Sequence, residues 1–196
     1  MVAKERLNPQ DRKKEIKQAA AQVFIEKNFI HTTMEDVIAR TTLSKGGVYH
    51  YYKSTTDILY DIMLDGIDYR NDVIKSTMDD LVEGKEDEFM VWQMYKKIID
   101  DTPSMEIYVK FLLAKRDNPK LEALFKELQE KTREGLSKTM GHGADAMHSD
   151  EFFDFQTYLI NSFILGAVVL GGRDSFKKNS PQLLAGLAAL MAPAKQ

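Results

Sequence analysis

The sequence of 196 residues contains no cysteine and no apolar run long enough to span a bilayer. The lack of cysteine excludes disulfide bonds and thiolate metal sites, and because it fits a reducing compartment we expect a cytoplasmic protein. The most apolar stretch, residues 158–172, is about 15 residues long and includes Asn161 and Ser162, whereas a membrane-spanning helix needs about 20 apolar residues. This stretch therefore predicts a buried helix. Residues 1–10 contain no signal-peptide core, so we expect no secretion.

Motifs that are typical of enzymes are also missing. The sequence has no phosphate-binding glycine loop, no serine in a nucleophile elbow and no helix with paired zinc-binding histidines. Since a cysteine nucleophile is absent as well, we expect a protein that is not an enzyme and that needs no cofactor. An enzyme is the rival interpretation from another functional class.

Charge is unevenly distributed along the chain, whose net charge is −3. Residues 1–53 contain 10 Lys and Arg against 6 Asp and Glu, a net charge of +4, whereas residues 54–196 contain 17 against 24, a net charge of −7. A basic segment attached to an acidic remainder is what binding to nucleic-acid phosphates through one end requires. A chance fluctuation of surface charge is the alternative.

Apolar residues recur every three or four positions and period-two alternation is nearly absent, so we predict an all-α fold of about nine helices. Asn8 is a suitable N-cap and Pro9 suits a first helical position, which places the first helix over about residues 9–27. The other expected helices cover about residues 34–40, 45–51, 55–81, 87–101, 104–116, 119–140, 150–171 and 181–192.

Two short helices separated by a tight turn are predicted near the N-terminus. Thr33 is an N-cap with Asp36 three residues later, and Ser44 is a second N-cap only a few residues after the first of these helices ends. This pattern indicates a helix-turn-helix, whose second helix lies in the major groove of DNA. We therefore predict a three-helix DNA-binding head, residues 1–53, joined by a long helix to a ligand-binding and dimerisation body, residues 54–196.

The start of the second short helix has properties that suit DNA binding. Ser44, Lys45 and the first helical amides can bind a phosphate or a base edge. Gly46 and Gly47 each cost about 1 kcal/mol relative to alanine in a helix, and close approach of the backbone to DNA would account for them. A frayed turn that needs no side chain is the alternative.

A run of four rings, residues 49–52, follows the glycines. With 3.6 residues per turn they cannot all be buried, so we expect Val48 and either Tyr51 or Tyr52 to face the core, while Tyr49 and His50 face the DNA. Lys53 is a further expected phosphate contact, and so is Thr33. For His50, an ordinary surface histidine is the alternative.

Residues 12–60 resemble the DNA-binding region of the TetR (tetracycline repressor) family, mainly through residues 32–38 (TTMEDVI) and 44–54 (SKGGVYHYYKS). The resemblance implies a homodimer on palindromic double-stranded operator DNA, two C-terminal helices per chain at the dimer interface, and repression relieved by a small ligand in the body. An activator or a metal-responsive sensor of the same fold is the alternative, as is a head that docks on a protein. The DNA contacts that the resemblance implies are Thr33, Ser44, Lys45, Gly46, Gly47, Tyr49, His50 and Lys53.

The predicted body is rich in aromatic and methionine side chains, which suit a small apolar or cationic effector. The candidates for contacting this ligand are aromatic side chains, most of which also carry a polar group: Trp92, Tyr95, Tyr108, Phe111 and Tyr158. Helical spacing of the same residues is typical of any bundle core, and core packing is the alternative for each of them.

The last two predicted helices have apolar faces with small residues between large ones, a pattern typical of close helix packing. The predicted dimer interface consists of Leu159, Phe163, Gly166, Ala167, Leu170, Leu183, Leu184 and Leu187. Metal-type ligands are concentrated at His142, Asp145, His148, Asp150 and Glu151. Because these residues span a glycine-containing loop and no cysteine joins them, we expect no metal site.

Overall fold

The computed structural model describes residues 8–82, 84–100, 102–140 and 150–191. Within these ranges the structure contains ten α-helices and no strand, which confirms the all-α prediction. In chain order the helices are α1 Pro9–Lys27, α2 Met34–Ile38, α3 Lys45–Tyr51, α4 Thr55–Ser76, α5 Glu86–Ile98, α6 Pro103–Lys115, α7 Pro119–Met140, α8 Asp150–Val168, α9 Arg173–Lys178 and α10 Ser180–Met191.

Local hydrogen bonds set both ends of α1. Oδ1 of Asn8 accepts from the amide of Asp11 at 2.9 Å, so the predicted N-cap is present. At the other end Asn28 has a φ of 64° and a ψ of 155°, a conformation outside the right-handed helical region that ends the helix. The amide oxygen of Asn28 also accepts from Nζ of Lys110 at 2.7 Å.

The structure differs from the sequence prediction at the end of α4 and between α8 and α10. α4 ends at Ser76 and a 3₁₀ turn, Met78–Asp80, follows, because the Thr77 hydroxyl donates to the main-chain oxygen atoms of Val73 and Ile74 and so competes with the helical pattern. α9 was not predicted at all. It is a six-residue helix without an apolar repeat, and repeat-based prediction cannot detect such an element.

The chain divides into two compact units, each of which combines segments that are distant in sequence. The first contains the described residues up to Gly66 together with Lys110–Phe125, and the second contains Ile67–Val109 with the described residues from Lys126 onward. The predicted functional boundary between residues 53 and 54 is a different kind of division and stays a prediction.

Each unit has an apolar core of its own. In the first unit the largest fully buried side chains come from α1, α2, α4, α6 and α7, and they are Ile16, Val23, Phe24, Val37, Ile58, Leu59, Phe111 and Leu121. In the second unit α5, α6, α8 and α10 contribute a cluster that contains Met94, Ile98, Val109, Ile164 and Leu187. Each such side chain adds about 1.5–3 kcal/mol of hydrophobic stabilisation relative to its exposed state. None of the helices over the described residues has the length and apolar content needed to cross a membrane.

Candidate nucleic-acid interface

The candidate interface is built from α2, α3 and the turn between them. α2 begins with a capping box, in which Oγ1 of Thr33 accepts from the amide of Asp36 at 3.2 Å and Oδ2 of Asp36 accepts from the amide of Thr33 at 2.9 Å. Nζ of Lys27 also pairs with Asp36 at 2.5 Å. Lys27, followed by the groups of Thr33, lowers the pKa of Asp36 to about 2. The carboxylate therefore fixes the start of α2 against the end of α1.

Polar side chains shape the turn and the start of α3. The Thr41 hydroxyl donates to the main-chain oxygen of Ile38 at 3.0 Å and accepts from the amide of Leu43 at 3.3 Å. Oγ of Ser44 then accepts from the amide of Gly47 at 3.2 Å, so Ser44 is the N-cap that the sequence predicts. These contacts let α3 begin only a few residues after α2 ends.

Two side chains hold α3 on the head. Val48 is fully buried and Tyr52, which directly follows α3, is only 3% exposed. The Tyr52 hydroxyl donates to Oδ2 of Asp61 on α4 at 2.8 Å, and Lys13 on α1 pairs with the same oxygen at 3.1 Å. Burial, and secondarily the Asp61 carboxylate, raises the pKa of Tyr52. Of the two tyrosines left open by the sequence, Tyr52 is therefore the one in the core.

The opposite side of α3 is open to solvent. Lys45 and His50 are exposed, and Tyr49 is half-buried with its ring 5.8 Å from Nζ of Lys45. His50 packs edge-on against Tyr51, with ring centroids 5.0 Å apart. Lys53 is exposed and its Nζ donates to the main-chain oxygen of Tyr49. The outward side chains expected from the sequence thus share one face.

Glu35 on α2 is a residue of this face that the sequence reasoning missed. Its Oε1 lies 3.0 Å from Nζ of Lys45, and both side chains are exposed. The hydrogen bond between them, followed by their mutual charge, lowers the pKa of Glu35 and raises that of Lys45. Lys45 has to leave Glu35 before it can bind a phosphate. In the sequence Glu35 and Lys45 are ten positions apart, and only the geometry of α2 and α3 brings them into contact.

The two glycines of α3 have room for a side chain. A Cβ atom at Gly46 would meet nothing within 4 Å, and one at Gly47 would lie in ordinary contact, at 3.4 Å from Oγ of Ser44 and 3.5 Å from Leu43. The fold of the free chain therefore does not require glycine at either position. A requirement for glycine has to come from something that approaches α3 from outside.

Comparisons with known proteins agree with this geometry. Residues 16–62, which run from α1 through the helix-turn-helix into α4, match the family model described as bacterial regulatory proteins, tetR family. The helix-turn-helix segment of the chain is therefore similar to the DNA-binding segment of that family. A 57-residue segment is 44% identical to the uncharacterized HTH-type transcriptional regulator YfiR of Bacillus subtilis, and it covers 29% of this chain but only 28% of that relative.

Solved structures extend the likeness of fold to nearly the whole chain. GusR of Salmonella enterica superimposes with a TM-score of 0.71 at 15% identity, over 94% of this chain and 95% of that one. A TetR-family regulator of Syntrophomonas wolfei gives a TM-score of 0.74 at 18% identity, over 96% and 98% of the two chains. At these identities the likeness concerns the fold alone.

The five candidate ligand contacts of this chain are not all in one place. Phe111 is fully buried in the first compact unit, with its ring 6.3 Å from Phe125. Tyr95 and Tyr108 lie in the second unit, where Tyr95 is buried and stacks on the exposed Trp92 at 5.2 Å. Tyr158 is half exposed. Of the candidates in the second unit, Tyr95 is thus buried and Tyr108 is partly buried.

The candidate dimer residues also differ in their exposure to solvent. Ala167 and Leu187 are enclosed in the core of their own protomer, so these two are not available to a partner. Leu170, by contrast, is 81% exposed. Partly buried positions make up the rest, and they are Leu159, Phe163, Gly166, Leu183 and Leu184. Gly166 packs inward as well, since a Cβ there would lie 3.4 Å from the ring of Phe176.

The candidate metal ligands His142, Asp145 and His148 lie outside the described residues. Asp150 and Glu151 form the first residues of α8. Among the residues that the structure describes, no group of three or more His, Cys, Asp or Glu side chains could hold a metal ion.

Proposed function

We propose that this protein is a sequence-specific transcriptional repressor that binds a palindromic operator as a homodimer and releases it when a small molecule binds the body. The observation that carries the DNA-binding part is the exposed face of α3, on which Lys45, Tyr49, His50 and Lys53 lie around two glycines that the fold does not need. This face suits the major groove, where phosphate contacts position a helix and close approach requires small residues.

Electrostatics supports the same proposal. The head segment, residues 1–53, carries a net charge of +4, although the whole chain is at −3. Cationic groups that replace condensed counterions on DNA contribute binding free energy. This contribution depends on the salt concentration and not on the base sequence. Sequence preference would come from the side chains of α3 that reach base edges, for which Tyr49 and His50 are the candidates. Thr33, Ser44 and Lys53 would contact phosphates.

A homodimer is proposed because apolar side chains remain exposed in the second unit around α8 and α10. Phe155, Tyr158, Val169, Leu170 and Leu190 are each more than two-fifths exposed. Exposed apolar patches of this kind mark interaction surfaces. A two-fold dimer would present two copies of α3 to two half-sites about one DNA turn apart, which is the geometry that a palindrome requires.

The regulatory and cellular parts of the proposal rest on family resemblance. Repression, release by an effector and a cytoplasmic location are typical of TetR-family regulators, and no catalytic role is proposed. The effector was predicted to be apolar or cationic from the aromatic side chains alone. The apolar core of the second unit would suit the apolar part of such an effector.

The test measures binding of the purified protein to the DNA upstream of its own gene by fluorescence anisotropy and footprinting. We expect a symmetric footprint and an affinity that falls steeply with salt, with a slope of about −0.9 per phosphate contact. Lys45→Ala and Tyr49→Ala should each weaken binding about tenfold or more without loss of helicity. Lys120→Ala, at an exposed lysine of α7, is the matched control. Normal binding by both α3 variants would contradict the proposed interface, and a reporter fused to the operator distinguishes repression from activation.

A further inference from the structure

In the second unit, residues of α4, α5, α6 and α8 bring polar side chains into an apolar interior. Tyr108 on α6 donates its hydroxyl hydrogen to Oδ1 of Asn161 on α8 at 2.9 Å. Nζ of Lys97 on α5 lies 5.4 Å from the centroid of the Tyr108 ring. Arg70 on α4 is the fourth member, because its charge acts on Lys97. We call Arg70, Lys97, Tyr108 and Asn161 the polar cluster.

The two cations of the polar cluster have only neutral neighbours at hydrogen-bonding distance among the described residues. Arg70 donates to the main-chain oxygen of the buried Gln93 and, at 3.4 Å, to its Oε1. Asp100 attracts Arg70 from farther away. Burial, and secondarily Arg70, lowers the pKa of Lys97 to about 8, and no carboxylate opposes this shift. Lys97 and Arg70 are partly buried, and a cation that is removed from water without a counterion is unfavourable, so this interior favours the arrival of a negative charge.

Asn161 gives independent evidence for a missing acceptor. The residue is only 6% exposed, and its Nδ2 is buried with no hydrogen-bond partner in the described structure. Its Oδ1 is already occupied by the Tyr108 hydroxyl, so the amide presents a donor. Buried polar groups are nearly always satisfied by protein, water or ligand. The polar cluster therefore lacks an acceptor as well as a negative charge.

We propose that the polar cluster binds a small oxyanion, a carboxylate or phosphate group carried by an apolar molecule. Lys97 supplies the charge, Asn161 supplies the hydrogen-bond donor, and Tyr108 holds the amide of Asn161 in that orientation. Met94, Met105 and Phe163, which belong to the surrounding core, suit the apolar part of the ligand. A cationic effector is disfavoured, because Lys97 and Arg70 would repel it. That the oxyanion acts as the effector rests on the proposed function, whereas its binding does not.

The test uses three probes with one apolar body and different head groups: phenylacetate, phenylacetamide and 2-phenylethylamine, at equal ionic strength. Phenyl phosphate is a fourth probe that distinguishes a phosphate from a carboxylate. Binding is followed by the thermal unfolding midpoint and by the fluorescence of Trp92, the single tryptophan, which stacks on Tyr95 in the same unit. A ligand that binds the native state alone raises the midpoint in proportion to the logarithm of its concentration.

Lys97→Met keeps the length of the side chain and removes its charge. We expect the anionic probes to raise the midpoint of the wild-type protein and to lose affinity about tenfold or more in this variant. Without any probe, Lys97→Met should unfold at a higher temperature than the wild type, because a partly buried cation without a counterion is gone. If Lys97 contributed only to packing, Lys97→Met would not raise the unfolding midpoint. Lys96→Met, one position earlier on α5, is the matched control and should bind like the wild type.

Asn161→Leu is the second variant, and it should also weaken binding of the anionic probes. The effect of salt on the unfolding midpoint should stay the same as in the wild-type protein. Equal stabilisation by phenylacetamide, an unchanged response in Lys97→Met, or no shift with either anionic probe would overturn the inference. Operator binding is measured separately on the same samples. A protein that binds the anions but not DNA would support this inference and refute the proposed repressor. A protein that binds DNA but not the anions would refute this inference and leave the proposed repressor standing.

Discussion

Tyr52 connects α3 to two other helices of the head through a single side chain. Its hydroxyl reaches Asp61 on α4, and Lys13 on α1 lies over its ring, 5.4 Å from the centroid, while pairing with the same carboxylate. The direction in which α3 presents its outer face is therefore set by three buried or half-buried groups.

Gly46 provides the sharpest residue-scale test of close approach to DNA. Replacement by alanine should stabilise the free protein by up to about 1 kcal/mol, because a Cβ at this position meets open space and alanine favours helix. The same Gly46→Ala variant should bind operator DNA about tenfold or more weakly if the backbone of α3 lies against DNA. Urea unfolding and anisotropy on one preparation give both numbers.

For Gly46→Ala, the decisive outcome is a gain in stability together with a loss of operator affinity. Gly66→Ala on α4 is the matched control, since a Cβ there also meets nothing within 4 Å and the residue lies outside the helix-turn-helix. It should stabilise the protein without affecting DNA binding. Stabilisation together with full DNA affinity in Gly46→Ala would mean that this glycine marks a frayed turn.

At the scale of the element, α2 is a five-residue helix whose existence depends on its first turn. Five residues are far fewer than an isolated helix needs in water, so capping and packing have to supply the stability. Thr33 and Asp36 satisfy each other's amides, and Met34 and Val37 are buried. The helix is thus defined by its cap and by two apolar side chains.

The capping box makes the stability of α2 depend on pH in a defined direction. The pKa of Asp36 is lowered to about 2 by Lys27 and Thr33, from an ordinary value of about 3.9. A carboxylate with a depressed pKa contributes stability that is present above its unfolded-state pKa and is lost as pH falls through about 2. Asp36→Asn should therefore destabilise the protein at pH 7, and the difference from wild type should shrink below about pH 4. Urea unfolding between these pH values measures it, and a difference that does not change with pH would show that charge is not the source.

At the scale of the whole molecule, the exposed Leu170 after α8 offers a test of the dimer. Leu170→Glu should leave the protomer folded, because the side chain is 81% exposed, and it should prevent self-association by placing a charge in an apolar interface. Operator affinity should fall about tenfold or more, since one head contacts only one half-site. Sedimentation and anisotropy are the two measurements.

Leu113→Glu on α6 is the matched control for Leu170→Glu, because Leu113 is also exposed, at 53%, but lies in the first compact unit. It should remain dimeric. If Leu170→Glu sediments as the wild type does, the partner lies on another surface.

The local features of this protein were determined by the sequence itself. The caps at Asn8, Thr33 and Ser44, the bounds of α1 and α3 and the helix-turn-helix arrangement follow from side chains within a few positions of one another. Such contacts depend on residues already adjacent in the chain, so periodicity and capping rules suffice to predict them.

Only the tertiary structure decided which side chains meet across helices. It chose Tyr52 over Tyr51 for the core, enclosed Ala167 and Leu187 within the protomer, and brought Lys97, Tyr108 and Asn161 together from three helices. Helical periodicity defines the face of one helix but not the neighbour that covers it. For that reason the sequence predicted a DNA-binding head residue by residue, while the chemistry inside the body became visible only after α4, α5, α6 and α8 were packed.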